Sequence, residues 1–132
     1  MARVTVVNDN PDFLDLIGDL LAELHYETTL IDGDASGALA SIATSHPDLL
    51  VIDLRMGSDG LHGWKVAQDV RAEPALDGLP ILLCSADHDA LEDIADDLAQ
   101  VQRVSVLPKP FSIDQFVTAM EALLATTGAS VG

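Results

Sequence analysis

The sequence predicts an α/β domain: a five-stranded parallel sheet with helices on both faces. Three observations predict it. Short apolar runs alternate with helical patterns five times each. Four of those runs are nearly continuous in apolar character, as strands buried on both faces must be. Strict β-α alternation then requires crossover connections, which place helices on both sides of a parallel sheet.

The five strand runs are Val4-Thr5-Val6-Val7, Thr28-Thr29-Leu30-Ile31, Leu49-Leu50-Val51-Ile52, Ile81-Leu82-Leu83-Cys84 and Val104-Ser105-Val106-Leu107. The second is the more polar and suits a sheet edge. The first helix carries Phe13, Leu16, Ile17, Leu20, Leu21 and Leu24 at helical spacing. Asn10-Pro11-Asp12 supplies its cap, a first-turn proline and an acid that the helix dipole favours. Asp34 is placed to cap a second helix bearing Ala38, Leu39 and Ile42. A third is expected from about Trp64 to Ala72, stopping ahead of Pro74. A fourth is expected over roughly Ala90 to Ala99. The fifth follows Ser112 as its cap, with Phe116, Met120, Leu123 and Leu124 on one face. Residues 1–125 read as one domain, and the small, polar stretch 126–132 as a flexible C-terminal tail.

Composition narrows the function classes. The chain has 132 residues, enough for one core. Hydrophobic residues make up 48% and aromatics only 4%, so aliphatic side chains must do the packing. No apolar run approaches the ~20 residues of a membrane span. The single cysteine, Cys84, has no intrachain partner, and a reducing cytoplasm is the expected setting. The formal net charge is −16, from six Lys and Arg against 22 Asp and Glu. Such a surface repels nucleic acid, because phosphate neutralisation needs basic residues. It favours cations and basic protein partners.

Ligands of open parallel sheets sit beyond the carboxyl ends of the strands. There the first run delivers Asn8 and Asp9, the third Asp53, the fourth Ser85 and the fifth Lys109. Each alone reads as an ordinary polar loop residue. Together they are complementary. Two carboxylates and a carbonyl suit magnesium, and an ammonium with a hydroxyl supplies donors for an oxyanion. That set fits phosphoryl transfer, in which positioning and charge neutralisation dominate.

Four segments carry a family resemblance: Val6-Val7-Asn8-Asp9-Asn10, Val51-Ile52-Asp53-Leu54-Arg55-Met56, Leu83-Cys84-Ser85-Ala86 and Leu107-Pro108-Lys109-Pro110-Phe111. In this order and at these strand ends they resemble the receiver domain of two-component response regulators, from about Arg3 to Leu124. The resemblance implies a flavodoxin-like sheet in the order 2-1-3-4-5. It implies that Asp53 accepts a phosphoryl group from a histidine kinase or phosphotransfer protein. Asp9, Asp53 and the Arg55 backbone carbonyl would bind Mg2+, with Asn8 as a weak or water-mediated ligand. Lys109 would pair with the phosphoryl oxygens and Ser85 would hydrogen-bond one of them. Ala86, Asp87, Met56, Val106 and Pro110 would flank the site, the Lys109–Pro110 bond being cis in the family.

The chain departs from the family in places. Asn8 replaces the usual first acid, which removes a charge from the cation site. The loop Met56-Gly57-Ser58-Asp59-Gly60-Leu61-His62-Gly63-Trp64 is two residues longer than usual. Asp59 there reads either as a substitute acid or as part of a solvated turn. Val106 stands where the family often has an aromatic that moves with the hydroxyl residue. Gln102-Arg103 replaces a usual Gly-Ala. Arg55 and Asp87, of opposite charge, are expected at the site mouth, as an ion pair or as two solvated side chains. His25, His46, His62 and His88 lack ligand spacing and read as surface residues. Glu92, Asp93, Asp96 and Asp97 read as a solvated acidic face.

The expected function is a phosphorylation switch that signals or relays by contact with a downstream protein, as a monomer or weak homodimer. A homodimer built on ion pairs across the fourth and fifth helices is not expected, because the fifth lacks Lys and Arg; an apolar one would use Phe116, Val117 or Met120. The alternative is a pseudo-receiver, an unphosphorylated interaction module, which Asn8 and Val106 favour. A third reading is a hydrolase with an aspartyl nucleophile. It wants a second acid two residues after the nucleophile, where Arg55 stands, and a lid domain.

Overall fold

A computed structural model describes residues 3–32, 38–53, 62–76, 78–85, 88–94, 96, 104–109 and 111–128. Five strands alternate with five helices: β1 (Arg3–Asn8), α1 (Pro11–Glu23), β2 (Glu27–Asp32), α2 (Ala38–Ser45), β3 (Leu49–Asp53), α3 (His62–Ala72), β4 (Ile81–Ser85), α4 (His88–Asp93), β5 (Val104–Pro108) and α5 (Ile113–Gly128). All strand pairs are parallel and the order is β2-β1-β3-β4-β5. From β1 the chain adds β2 on one side and β3, β4 and β5 on the other, so the topological switch point lies between β1 and β3 and ligand chemistry belongs at their carboxyl ends.

The strand pleat explains the two-sided core. Val7, Leu50, Ile52, Ile81 and Leu83 face a cluster with Ile42 of α2 and Trp64, Val66, Ala67 and Val70 of α3. Their neighbours Val4, Val6, Leu49, Val51, Leu82 and Cys84 face the other cluster, with Ile17 and Leu21 of α1 and Phe116, Met120 and Leu123 of α5. Burying each such aliphatic side chain stabilises by roughly 1.5–3 kcal/mol before the entropy cost of ordering it. The polar second run is an edge strand, and β5 forms the opposite edge.

Capping follows the sequence closely. The Asn10 carboxamide oxygen accepts from Asp12 N at 3.0 Å and Phe13 N at 3.4 Å. Ser112 and Gln115 form a reciprocal box: Gln115 N donates to Ser112 Oγ at 3.1 Å, and Ser112 N to Gln115 Oε1 at 2.8 Å. At the other end of α1, Tyr26 N donates to Leu21 O and His25 N to Ala22 O, both at 3.0 Å. This Schellman closure puts His25 at φ 66°, where glycine is the usual occupant. His46, after α2, has φ 49°. Both imidazoles are exposed, as expected, but the sequence carried no sign of their left-handed backbone.

Several expectations shift. Leu16 is 64% exposed and Leu24 38%, because the buried stripe of α1 runs through Ile17 and Leu21. Helix α3 starts at His62 and α4 at His88, each two residues earlier than expected. A 3-10 turn, Pro74–Leu76, follows α3. Helix α5 runs to Gly128, through the first residues of the expected tail. Phe116 and Met120 are fully buried inside the chain, so they cannot form an outward dimer face. The Asp34 cap and residues 97–99 of the expected fourth helix lie outside the described residues.

Candidate functional site

The carboxyl ends of β1, β3, β4 and β5 carry Asn8, Asp53, Ser85 and, just beyond β5, Lys109. Asp53 is the last residue of β3, Ser85 the last of β4, and Lys109 follows directly on β5. Lys109 N donates to Ser85 O at 2.8 Å, which ties the end of β5 to the end of β4. From there the Lys109 side chain reaches across β4, and Nζ donates to Asp53 Oδ2 at 2.6 Å. The two side chains are 26% and 12% exposed, so this ion pair is largely withdrawn from solvent and weakly screened.

Asn8, 2% exposed at the end of β1, supplies a second donor. Its Nδ2 donates to the same Asp53 Oδ2 at 3.3 Å. Its Oδ1 accepts the backbone N–H of Asn10 at 2.8 Å. The amide therefore presents nitrogen to Asp53 and commits its oxygen to the turn into α1. The Asn10 N–H fixes which end of the amide faces the carboxylate.

Phe13, in the first turn of α1, also belongs to this neighbourhood. Lys109 Nζ lies 4.7 Å from the centroid of its ring. By its helical spacing alone Phe13 reads only as a core residue of α1. Its position four residues after Asp9 and one turn into a capped helix was the available signal.

Ser85 is 1% exposed. Asp9, partly buried, directly follows β1, next to the strand that ends in Asp53. Val106 is half-buried and packs against the α2–α3 cluster, as an ordinary strand residue does. Cys84 is register-paired with Asp53 and faces the opposite cluster. Burial pushes its thiol up to about 12, with Lys109 pulling down and Asp53 pushing up, so it is no nucleophile at neutral pH. Arg55, Met56, Ala86, Asp87, Pro110, Asp59 and Gln102-Arg103 lie outside the described residues. Among the described residues, no three His, Cys, Asp or Glu side chains gather into a metal cluster.

A doubly wound parallel sheet with a carboxylate, an ammonium and a hydroxyl at its switch-point edge defines the class of a receiver-like α/β domain. The family model for the response regulator receiver domain matches residues 4–121, and the chain belongs to that family. It is 34% identical over 125 residues to the probable transcriptional regulatory protein TcrX of Mycobacterium tuberculosis, covering 95% of this chain and 50% of TcrX. It is 30% identical over 128 residues to the DNA-binding response regulator MtrA of Mycolicibacterium smegmatis, covering 92% of this chain and 50% of MtrA. The chain thus spans about half the length of these two relatives. The chemotaxis response regulator CheY4 of Vibrio cholerae shares the fold at TM-score 0.78 and 22% identity, over 93% of this chain and 98% of CheY4. A receiver domain of the Pseudomonas aeruginosa sensor histidine kinase PA1611, with magnesium coordinated in its active-site cleft, shares it at TM-score 0.76 and 23% identity, over 94% of this chain and 98% of that one.

Proposed function

We propose that this chain is a phosphorylation switch in which Asp53 accepts a phosphoryl group. The observation that carries the reading is the 2.6 Å Lys109–Asp53 ion pair at the switch-point edge of a receiver-family sheet. An Asp53 carboxylate oxygen attacks phosphorus of a kinase or phosphotransfer-protein phosphohistidine. The P–N bond breaks and the imidazole leaves with its electron pair, taking a proton. Lys109 then neutralises charge gained by the phosphoryl oxygens, and Ser85 donates to one of them. Catalysis of this kind is positioning plus electrostatics. The chain is on this reading a switch and not an enzyme with a separate substrate.

The donor set suits a hard divalent cation held mainly through water. Magnesium commonly takes one or two carboxylates and keeps several waters, and Asp9 and Asp53 stand at the ends of adjacent strands. These two residues, with the Arg55 carbonyl, would hold it, and its charge would offset that of the incoming phosphoryl group. Asn8 would contribute through nitrogen to Asp53 and not as a ligand.

Output passes by protein contact, in the cytoplasm. A net charge of −16 favours basic protein surfaces over nucleic acid for this chain. MtrA is named as DNA-binding, a property of a protein about twice this length. Among the described residues no helix is long and apolar enough to cross a membrane. A second reading, an unphosphorylated pseudo-receiver, is favoured by one observation: Asn8 occupies Asp53 Oδ2 with a donor where the family has an acid. Phosphoramidate, a donor with a P–N bond, separates the two. The switch reading expects a magnesium-dependent phosphoprotein band that Ser85→Ala slows and Lys109→Ala removes. A chain inert to phosphoramidate would favour the second.

A further inference from the structure

The contacts around Asp53 close into a ring that returns through α1. Asn8 Nδ2 and Lys109 Nζ both donate to Asp53 Oδ2, at 3.3 Å and 2.6 Å. The Lys109 ammonium lies over the Phe13 ring, 4.7 Å from its centroid. Phe13 N donates to Asn10 Oδ1 at 3.4 Å, and Asn10 N to Asn8 Oδ1 at 2.8 Å. Five residues from the ends of three strands and one helix therefore hold one another in place.

Lysine is a strongly hydrated point charge on a flexible four-carbon stem. A backbone hydrogen bond to Ser85 fixes where that stem begins but not where its ammonium ends. Among the described residues, the contacts at the ammonium itself are Asp53 and the Phe13 ring. The ring's negative face attracts the cation and covers one side of it against water. Phe13 itself is anchored: Pro11 starts the helix and the Asn10 side chain caps its backbone N–H. Its ring is half-buried and packs against the α1–α5 cluster.

We propose that Phe13 is a positioning residue for Lys109: its ring face holds the ammonium on Asp53. The consequence for phosphoryl transfer rests on the phosphoacceptor reading of Asp53; the holding itself does not. Without the ring, the ammonium samples positions away from Oδ2, and the fraction of chains with a correctly neutralised site falls. A loss of about 5-fold in phosphorylation rate is expected, equivalent to about 1 kcal/mol.

The test compares the wild type, Phe13→Leu and Phe13→Tyr, with two readouts. The first is the NMR shift of the Lys109 Cε protons, which the Phe13 ring current moves upfield. The second is the rate of phosphorylation by acetyl phosphate. Leucine keeps the apolar contact with the α1–α5 cluster but has no π face; tyrosine keeps the face. The expected result is upfield Lys109 signals in the wild type and Phe13→Tyr, lost in Phe13→Leu, with the rate lowered about 5-fold in Phe13→Leu alone. Lys109 signals that do not move in a folded Phe13→Leu protein would overturn the proposal, as would an equal rate in all three. If the wild type takes no phosphoryl group while its Lys109 signals still sit upfield, the phosphoacceptor reading fails and the holding contact stands.

Discussion

The Asn8 amide donates to Asp53 Oδ2 from 3.3 Å while its own oxygen is held 2.8 Å from Asn10 N. A neutral donor thus stands where the family has an acid, and the site carries one negative charge fewer. Replacing it by an acid reverses the sign of the contact with Asp53. Asn8→Asp is expected to lower stability without magnesium by about 1–3 kcal/mol, since two carboxylates then face each other, largely buried. The same variant is expected to bind magnesium more tightly. Chemical denaturation with and without magnesium checks both, and a variant unchanged in either condition would show that the lost charge has no role.

The Lys109–Asp53 pair is the second lever. With side chains 26% and 12% exposed, removing the ammonium leaves a largely buried carboxylate without its cation, still accepting from Asn8. Lys109→Met is expected to lose phosphorylation altogether while stability falls by about 3 kcal/mol or less, below the range for fully buried pairs. Urea titration alongside a phosphorylation assay measures the two effects separately.

Cys84 makes a pH prediction. Its folded-state value, about 12, lies above the ordinary 9.0 because burial disfavours the thiolate. The folded chain holds this proton more tightly than the unfolded chain. Its contribution is therefore fully present below pH 9 and is lost as pH rises from about 9 towards 12. Cys84→Ala is expected to flatten that alkaline decline, read from urea midpoints at pH 8, 9 and 10. A thiol reagent at neutral pH is expected to modify Cys84 only after denaturation; rapid labelling of the native chain would contradict its burial.

His25 offers a stability gain. It occupies the left-handed position that closes α1, at φ 66°, with its imidazole exposed. Glycine takes this conformation without the steric cost of a Cβ. His25→Gly is expected to raise stability by up to about 1 kcal/mol, and His25→Ala to lower it relative to His25→Gly. Thermal melts of the three proteins rank them.

What the sequence made legible follows from which interactions decide each feature. Strand runs, the parallel arrangement and the Asn10 and Ser112 caps were readable because local pattern and chemistry determine them. The convergence of Asp53, Ser85 and Lys109 was readable because each directly ends a strand run. The orientation of the Asn8 amide was not, because a hydrogen bond from Asn10 N selects it, and residue identity alone leaves both ends available. The Phe13–Lys109 contact joins residues 96 positions apart (109 − 13) and depends on the Lys109 side chain reaching from the end of β5 to the first turn of α1. Helical spacing admits Leu16 to the apolar stripe, but the buried line of α1 runs through Ile17 and Leu21 and leaves it 64% exposed.

The central claim is that Asp53 is the phosphoacceptor, and intact mass after incubation with acetyl phosphate and magnesium tests it most directly. The wild type is expected to gain the mass of one phosphoryl group, to lose the gain when magnesium is chelated beforehand, and to show none in Asp53→Asn. A wild type that gains nothing, or an Asp53→Asn variant that gains the same mass, would contradict the account.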